Sequence, residues 1–322
     1  MDWQGQVVWI TGASSGIGEA LAYALARRGA RLILSARNRE RLVEVAAVCN
    51  GQGRPGGEGA GEGAGGEGAG GEGAGRGEPG GAGGHLVLPL DLGDAGSIAD
   101  AAERALALCG HIDVLVHNGA VSQRAYVRDT LPEVERRIFE TNFWGPVALT
   151  RAVLPSMLSR RQGRIVVVAS FAGKIAIPRG SAYCASKHAL HGYFGALRTE
   201  TWDAGLRVTI VCPGGVRTAI SLSALTADGS PYAAMDRAQA AGMSPARCAE
   251  AIVAAVESGR QEVLIGRKRW MVYAYRLAPE LYLRMAVSAF RRAFPPAAGS
   301  AIPQAAPAPK ETPRRSVDQG LR

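Results

Sequence analysis

Short runs of apolar residues alternate with longer, mixed stretches through most of this chain. Six such runs are found, at 6–10, 31–35, 85–90, 112–117, 164–169 and 207–212. Runs of this length predict buried strands, and the apolar residues between them have helical spacing. Strands that alternate with helices pack as a parallel sheet covered on both faces. The pattern therefore predicts one α/β domain with a doubly wound parallel sheet over residues 1–268.

Three further segments depart from this pattern. In residues 50–84 more than half of the positions are glycine, with a repeated Gly-Glu-Gly-Ala-Gly unit. This composition buries too little apolar surface to offset the entropy cost of ordering, so we expect a disordered insertion in a surface loop. Residues 269–294 combine a charged arc with apolar positions and predict an amphipathic helical extension, with a second helix starting at Pro279. The Pro- and Ala-rich tail at 295–322 is expected to be disordered.

The extension at 269–294 leaves three interpretations open. It packs on the domain or on a partner subunit, covers the substrate site, or lies on a membrane surface. Its uncharged runs are shorter than the roughly 18 residues of a membrane-spanning helix.

Charge and cysteine content narrow the class of protein. The 322 residues carry a net charge of +9, and eleven basic against three acidic residues in Gly266–Arg322 account for eight of those charges. A nearly neutral domain with a basic C-terminal part does not indicate nucleic-acid binding. The five cysteines are scattered without metal-binding spacing, which predicts reduced thiols and no metal site. No secretory signal is predicted, and we expect a cytoplasmic protein with the option of peripheral membrane contact.

The first strand runs directly into a glycine-rich turn, which a helical pattern follows from Glu19. Glycine lets a pyrophosphate approach the backbone, and the helix N-terminus supplies N–H groups and a positive dipole. Strand, turn and helix in succession predict a dinucleotide site, whereas the missing Gly-Lys-Ser/Thr disfavours a P-loop. The residues expected to contact the cofactor here are Thr11, Gly12, Ser14, Ser15, Gly16, Ile17 and Gly18.

The end of the second strand bears on the choice of dinucleotide. An NAD site usually has a carboxylate here for the ribose 2′-hydroxyl, whereas this chain has Ala36 followed by Arg37. A guanidinium suits a 2′-phosphate through charge-assisted hydrogen bonds. We therefore expect NADP(H) to be preferred over NAD(H), with a merely solvated Arg37 as the alternative.

Further candidates lie where the later strands end. In a doubly wound sheet, ligands bind at the carboxyl ends of the strands. The expected cofactor contacts are Asp91 and Leu92 after the third strand, Asn118 and Gly119 after the fourth, and Pro213, Gly214, Val216 and Thr218 after the sixth. Ser170 follows the fifth strand, and Asp91 is placed to hydrogen-bond an adenine edge.

Tyr183 and Lys187 carry the candidate chemistry. They stand four positions apart in a stretch that is expected to be helical, so the phenol and the ammonium share one face. A free tyrosine has a pKa of roughly 10, and a fixed cation beside it lowers that pKa towards neutrality. A surface lysine beside a half-buried tyrosine is the alternative for this spacing alone. The coincidence with candidates at so many strand ends favours an acid/base pair.

Together these motifs resemble the short-chain dehydrogenase/reductase superfamily over about residues 5–265. The matching pieces are Thr11-Gly-x-x-x-Gly-x-Gly18, Asn142, Ser170, Tyr183-x-x-x-Lys187 and Pro213-Gly-x-Val-x-Thr218. The family usually has Asn-Asn-Ala-Gly after the fourth strand, where this chain has His117-Asn118-Gly119-Ala120. Asn118 is expected to keep its structural role. Residues 121–124 and 183–190 are similar to a branch with membrane-associated reductases of retinoids and steroids.

The resemblance implies a Rossmann fold, a homo-oligomer (dimer or tetramer), and NADP(H)-dependent interconversion of an alcohol with a ketone or aldehyde. Tyr183 would act as acid/base and Ser170 would polarise the carbonyl oxygen. Lys187 would lower the pKa of the tyrosine and bind the nicotinamide ribose, while Asn142 would hold a water of a proton relay. The loop after Thr218 has several apolar residues, which indicates an apolar substrate. A non-catalytic dinucleotide-binding sensor or scaffold is the alternative, which the presence of all four catalytic positions disfavours.

Overall fold

The computed structural model describes residues 1–51 and 84–294. Its strands are β1 (Val7–Thr11), β2 (Arg31–Ser35), β3 (Leu86–Val87), β4 (Val114–His117), β5 (Gly163–Val168), β6 (Leu206–Pro213) and β7 (Glu262–Ile265). Across the described residues they form one sheet in the order β3-β2-β1-β4-β5-β6-β7. Every neighbouring pair is parallel. The predicted doubly wound parallel sheet is confirmed.

Helices connect the strands and cover the sheet. They are α1 (Gly16–Ala26), α2 (Arg39–Cys49), α3 (Ala95–Cys109), α4 (Pro132–Phe139), α5 (Gly145–Ser159), α6 (Ser181–Glu200), α7 (Arg237–Ala240), α8 (Pro245–Glu257), α9 (Trp270–Leu277) and α10 (Pro279–Ala293). Between α4 and α5 the chain makes one π-helical turn, Glu140–Trp144. Such turns are rare and often lie at functional sites.

The sheet is buried on both faces. Successive side chains of a strand point to opposite faces, so Trp9 and Leu115 join one apolar core while Val8 and Val116 join the other. All four are buried. This double burial explains why the strands appear in the sequence as continuous apolar runs rather than alternating ones.

The strand order reverses at β1. This strand pairs with β2 on one side and with β4 on the other, so that Ile10 lies between Leu34 and Val116. The chain builds outward from β1 to β3 and then returns across the sheet to β4. The connections diverge at this point and leave a crevice at the carboxyl ends of the strands, where ligands of such sheets bind.

Two strands differ from the sequence prediction. β7 was not predicted, because Glu262 is exposed and the next two residues are only half-buried, which leaves no buried apolar run. The strand predicted at 85–90 pairs regularly only at Leu86–Val87. Its backbone still follows β2 further, since the Leu90 N–H donates to the Ala36 carbonyl at 3.1 Å.

The predicted helical extension is present as α9 and α10, which meet at Ala278. Val272 of α9 and Tyr282 of α10 are buried in the same core as the sheet residues. The extension therefore packs on its own domain, and this agrees with the first of the three interpretations.

Two predicted features lie outside the described residues. They are most of the glycine-rich insertion, at 52–83, and the tail at 295–322. In the part of the chain that the structure describes, no helix has the length and apolar character needed to cross a membrane.

Candidate active site

A cleft of about 370 Å³ opens at the carboxyl ends of the central strands. The predicted cofactor and catalytic residues that line it are Thr11, Gly12, Ser14, Ser15, Gly16, Ile17, Arg37, Asp91, Leu92, Asn118, Gly119, Ser170, Tyr183, Lys187, Pro213, Gly214, Val216 and Thr218. Two of the predicted residues, Gly18 and Asn142, lie behind this lining. The fold thus brings residues from across the sequence into one crevice.

The glycine-rich turn is packed too tightly for side chains. A Cβ on Gly18 would lie 2.1 Å from the Gly12 carbonyl oxygen, and a Cβ on Gly12 would lie 2.7 Å from the Cα of Gly119. Gly12 also has a φ of 67°, in the left-handed region that favours glycine. These two glycines are therefore required by contacts within the protein, before any ligand is considered.

The start of α1 fits the pyrophosphate of a dinucleotide. The helix begins at Gly16, and the preceding Ser15 makes no side-chain hydrogen bond to any described residue of its first turn. The first N–H groups of a helix have no partner within the helix and carry positive partial charge. Because Ser15, Gly16 and Ile17 line the cleft, these donors are available to an anion bound there.

Asn118 ties the glycine-rich turn to the end of β4. Its Nδ2 donates to the carbonyl oxygens of Thr11 (3.0 Å) and Gly12 (3.2 Å). The Thr11 hydroxyl in turn accepts from the backbone N–H groups of Asn118 (3.0 Å) and Gly119 (3.1 Å). The expected structural role of Asn118 is present despite the departure from the family pattern.

His117 is a residue at which the chain departs from the family pattern, and its side chain points into the core. Its Nε2 lies 2.7 Å from the Thr150 hydroxyl oxygen, and its ring contacts that of Phe194 with centroids 5.4 Å apart. Burial, with a smaller contribution from the Lys187 cation, lowers the pKa of His117 to about 3. The imidazole is therefore neutral at physiological pH, and it fills space beneath the site rather than lining the cleft.

Tyr183 and Lys187 lie on the first turns of α6, as predicted. Lys187 is buried, and its Nζ donates to the Val168 carbonyl oxygen at 3.0 Å. The same Nζ lies 5.9 Å from the centroid of the Tyr183 ring. Burial lowers the pKa of Lys187 to about 8, and the group is still mostly protonated at neutral pH.

The pKa of Tyr183 is governed by its burial. Burial raises the pKa of the Tyr183 phenol above its usual value, and this effect outweighs the lowering by a hydrogen bond with Ser170 and by the Arg124 charge. That Lys187 lowers this pKa stays a prediction, and in the structure its ammonium donates to the Val168 carbonyl oxygen.

Ser170 has its hydroxyl hydrogen available for donation. The residue caps a short 3₁₀ turn, Phe171–Gly173, by accepting the Ala172 N–H at 3.1 Å. Accepting this bond uses a lone pair of the Oγ and leaves the O–H free to donate towards Tyr183 or an oxygen in the cleft. The end of β5 thus presents a donor beside the phenol.

Asn142 is buried behind the cleft, on the π-helical turn. Its carboxamide exchanges two hydrogen bonds with the backbone of Val121, at 2.8 and 2.9 Å. Its Nδ2 also donates to the Ser186 hydroxyl at 3.1 Å, and Ser186 donates to the Tyr183 carbonyl oxygen at 2.9 Å. With these contacts Asn142 helps to position α6. That it also holds a water of a proton relay remains a prediction.

The rim of the cleft carries the residues that were predicted to select the dinucleotide. Arg37 is exposed there beside the half-buried Ala36. Arg37 takes part in none of the ion pairs that join described residues. Further along the rim, Asp91 accepts the Gly93 N–H with Oδ1 at 2.9 Å, which leaves its other oxygen for a ligand.

Several residues of the lining were missed by sequence reasoning, and one of them hydrogen-bonds a predicted residue. Gln239 of α7 lines the cleft, and its Nε2 donates to the Thr218 hydroxyl at 2.9 Å. The helix that carries it has only four residues. A single glutamine in so short an element gives no pattern that could have revealed it.

Comparison with known proteins agrees with this geometry. A sequence profile described as "short chain dehydrogenase" matches residues 6–56 and 79–228. Dehydrogenase/reductase SDR family member 7B from Bos taurus is 40% identical over 288 residues, which cover 89% of this chain and 82% of the relative. The protein of the same name from Danio rerio is 39% identical over 291 residues, which cover 90% and 87%.

Solved structures share the fold. A short-chain dehydrogenase from Streptomyces avermitilis aligns with a TM-score of 0.67 and 26% identity, over 90% of this chain and 98% of that one. A metagenomic short-chain oxidoreductase in complex with NADP aligns with a TM-score of 0.61 and 27% identity, over 82% and 98%. The chain therefore belongs to the short-chain dehydrogenase/reductase family and is an NAD(P)-dependent oxidoreductase.

Proposed function

We propose that this protein is an NADP(H)-dependent oxidoreductase that interconverts an alcohol with a ketone or aldehyde of an apolar substrate. The observation that carries the proposal is the convergence of Ser170, Tyr183 and Lys187 in the same cleft as the glycine-rich turn and Arg37. A scaffold that only binds a dinucleotide needs the turn but has no use for the other three. This convergence favours catalysis over the sensor or scaffold alternative.

Each side chain has a distinct role in this proposal. The bound nicotinamide would supply or accept the hydride. Ser170 would donate its free O–H to the carbonyl oxygen and stabilise the charge that develops on it. Tyr183 would give that oxygen its proton in reduction and take the proton in oxidation. Lys187 would supply positive charge behind the phenol and a donor for the nicotinamide ribose.

The burial of Tyr183 bears on its proposed role as a proton donor. Burial raises the pKa of the phenol, so the group is protonated at neutral pH. A protonated phenol is ready to donate to an oxygen that gains charge, whereas oxidation first requires the phenol to lose its proton. Tyr183 would therefore act as the acid in reduction and, after losing its proton, as the base in oxidation.

The choice of NADP(H) rests on the rim of the cleft. Arg37 supplies an exposed cation there, and Ala36 leaves that strand end without the carboxylate that would bind a 2′-hydroxyl and repel a 2′-phosphate. The NADP complex of the metagenomic oxidoreductase, at 27% identity, supports a cofactor of this type in this fold.

The apolar substrate is proposed from the loop after β6. Leu225 of this loop is buried beside α4 and α6, while Leu222 and Met235 are exposed. A screen of NADPH oxidation over steroid, retinal, quinone and short-chain carbonyl compounds tests the proposal. We expect turnover with the larger apolar carbonyls. Absence of turnover with every class, together with tight NADPH binding, would favour the sensor or scaffold.

We also propose that the extension contacts an anionic membrane surface. Apolar side chains of α9 and α10 remain exposed after packing, among them Trp270, Tyr273 and Leu277. Basic residues flank them, including Arg269 and Arg276. Exposed apolar area beside cationic residues is the combination by which a surface helix binds anionic lipid.

A homo-oligomer remains a prediction from the family resemblance.

Sedimentation with lipid vesicles tests this contact. We expect binding to vesicles that contain phosphatidylserine, weaker binding to pure phosphatidylcholine, and release by salt. Trp270→Ser with Leu277→Ser should remove most of the binding. Leu108→Ser, on an exposed apolar residue of α3, is the control and should leave it unchanged. Equal sedimentation of both variants would exclude α9 as the contact.

A further inference from the structure

One buried amide side chain lies next to the catalytic helix without a role in the chemistry proposed above. Gln123 follows β4 and is fully buried, with 0% of its surface exposed. Burying a carboxamide is costly unless its polar atoms find partners. The partners that Gln123 has are therefore informative about what the residue does.

Its acceptor caps the helix that carries Tyr183. The Oε1 of Gln123 accepts the Ala182 N–H at 2.9 Å and the Tyr183 N–H at 3.4 Å. The N-cap position of α6 is Gly180, which has no side chain with which to do this. A residue from a distant segment thus satisfies N–H groups that a helix cannot satisfy itself, and one of them belongs to Tyr183.

The donor of the Gln123 carboxamide has a partner outside the catalytic helix. The Nε2 of Gln123 donates to the Thr130 hydroxyl at 3.2 Å, and that hydroxyl donates to the Tyr126 carbonyl oxygen. This bond anchors the glutamine to its own segment. The two ends of the carboxamide therefore have separable partners, only one of which is the catalytic helix.

The backbone around Gln123 holds the loop after β6. Gln123 forms a parallel bridge with Leu225. The Leu225 N–H donates to the Ser122 carbonyl oxygen at 2.9 Å, and the Arg124 N–H donates to the Leu225 carbonyl oxygen at 2.8 Å. This loop follows Thr218, and its first residues line the cleft.

A second connection joins the same two segments. The Arg124 guanidinium pairs with the Asp236 carboxylate through both Nε and a terminal nitrogen. Both nitrogens contact the same oxygen, Oδ2, and charge-assisted hydrogen bonds of this kind are stronger than neutral ones. Arg124 also donates to the Ser122 hydroxyl at 2.9 Å, so its position is determined from both sides.

We infer that Gln123 is a positioning residue, which holds Tyr183 against Ser170 and couples that position to the loop at 219–236. The inference rests on the proposed acid/base role of Tyr183. The segment 122–124 is bonded to the loop through its backbone and through Arg124, and to the catalytic helix through the Gln123 carboxamide. A displacement of the loop therefore reaches the N-terminus of α6 through hydrogen bonds alone.

Substitutions that separate the two ends of the carboxamide test the positioning role. Gln123→Met keeps the length of the side chain but removes the acceptor, so we expect kcat to fall by at least about tenfold with little change in KM for NADPH, since small misplacements of a reacting group are costly. Thr130→Val removes the partner of the donor and leaves the acceptor in place. It should cost similar stability and leave kcat nearly unchanged.

Gln123→Glu adds a test by conservative rescue. A glutamate offers an oxygen acceptor in either protonation state, so it should recover most of the kcat that Gln123→Met loses. Rates are compared for the folded fraction, which circular dichroism measures. If Gln123→Met and Thr130→Val lower kcat and the melting temperature in parallel, Gln123 is an ordinary buried residue and the inference is overturned.

The coupling to the loop is tested by a double-mutant cycle. Asp236→Asn weakens the pair with Arg124, and we expect it to lower kcat in the wild-type background but much less after Gln123→Met, because the connection is then already broken. Additive losses would overturn the coupling. The proposed oxidoreductase function is tested separately, by wild-type turnover and its loss in Tyr183→Phe. The proposed function and the positioning role of Gln123 can therefore fail independently.

Discussion

Tyr183→Phe is expected to abolish turnover while NADPH binding survives almost unchanged. The substitution removes one oxygen atom and leaves the ring, the helix and the cleft in place. A positioned acid/base group contributes about 10²–10⁴-fold to a rate, so the loss should lie in this range. Steady-state rates with the best carbonyl substrate, and NADPH titration by fluorescence, measure the two quantities separately.

Tyr193→Phe is the matched control for this experiment. Tyr193 lies on the same helix, and its ring packs against those of Phe143 and Phe194. The control should retain activity. Near-normal turnover of Tyr183→Phe would remove the tyrosine from the mechanism.

Lys187→Ala tests the role of the lysine separately from that of Tyr183. We expect it to reduce both turnover and cofactor affinity, because the proposal gives its ammonium a place behind the phenol and against the ribose. A lysine held by a single carbonyl of β5 has a buried charge with few partners, and its pKa of about 8 reflects that cost.

The sheet could be predicted from the sequence because both of its faces are buried. Central strands such as β1 and β5 have short continuous apolar runs, and their length and many β-branched residues favour a buried strand over a buried helix. The edge strand β7 lacked this signal, since an exposed Glu262 begins it. A strand is therefore visible in the sequence as an apolar run only where the fold buries both of its faces.

The location of the cleft was predictable for a topological reason. Residues that follow parallel strands meet at one edge of the sheet, so Thr11, Asn118 and Ser170 had to approach one another once the order of strands was fixed. Their identities at those positions were visible in the sequence. The same rule says nothing of residues that lie away from the strand ends, and Gln123 and Gln239 were missed for that reason.

The electrostatics of the pair could not be read from its spacing. Four positions along a helix place Tyr183 and Lys187 on one face, but the direction of the ammonium depends on the Val168 carbonyl, which a different strand supplies. The shift in the pKa of the tyrosine depends on burial by the assembled fold. Sequence separation determines proximity, whereas desolvation is a property of the tertiary structure.

Arg37→Ala is expected to reduce the preference for NADPH over NADH. A hydrogen bond to a charged group contributes about 1.5–3 kcal/mol, which corresponds to roughly ten- to a hundredfold in affinity. Because Arg37 is exposed and screened by water, we expect the lower end, about tenfold. The loss should come from weaker NADPH binding, with NADH affinity almost unchanged, and titration of both cofactors measures it.

Ala36→Asp should shift the preference from NADPH towards NADH further than Arg37→Ala does. The new carboxylate would accept a bond from the ribose 2′-hydroxyl of NADH and repel the 2′-phosphate of NADPH. Arg41→Ala is the control for general charge, since Arg41 lies nearby on the first turn of α2 but pairs with Glu19 and Glu44. It should leave the ratio of the two affinities unchanged. Equal affinities in the wild type, or an equal change in both arginine variants, would mean that Arg37 makes no specific contact with the phosphate.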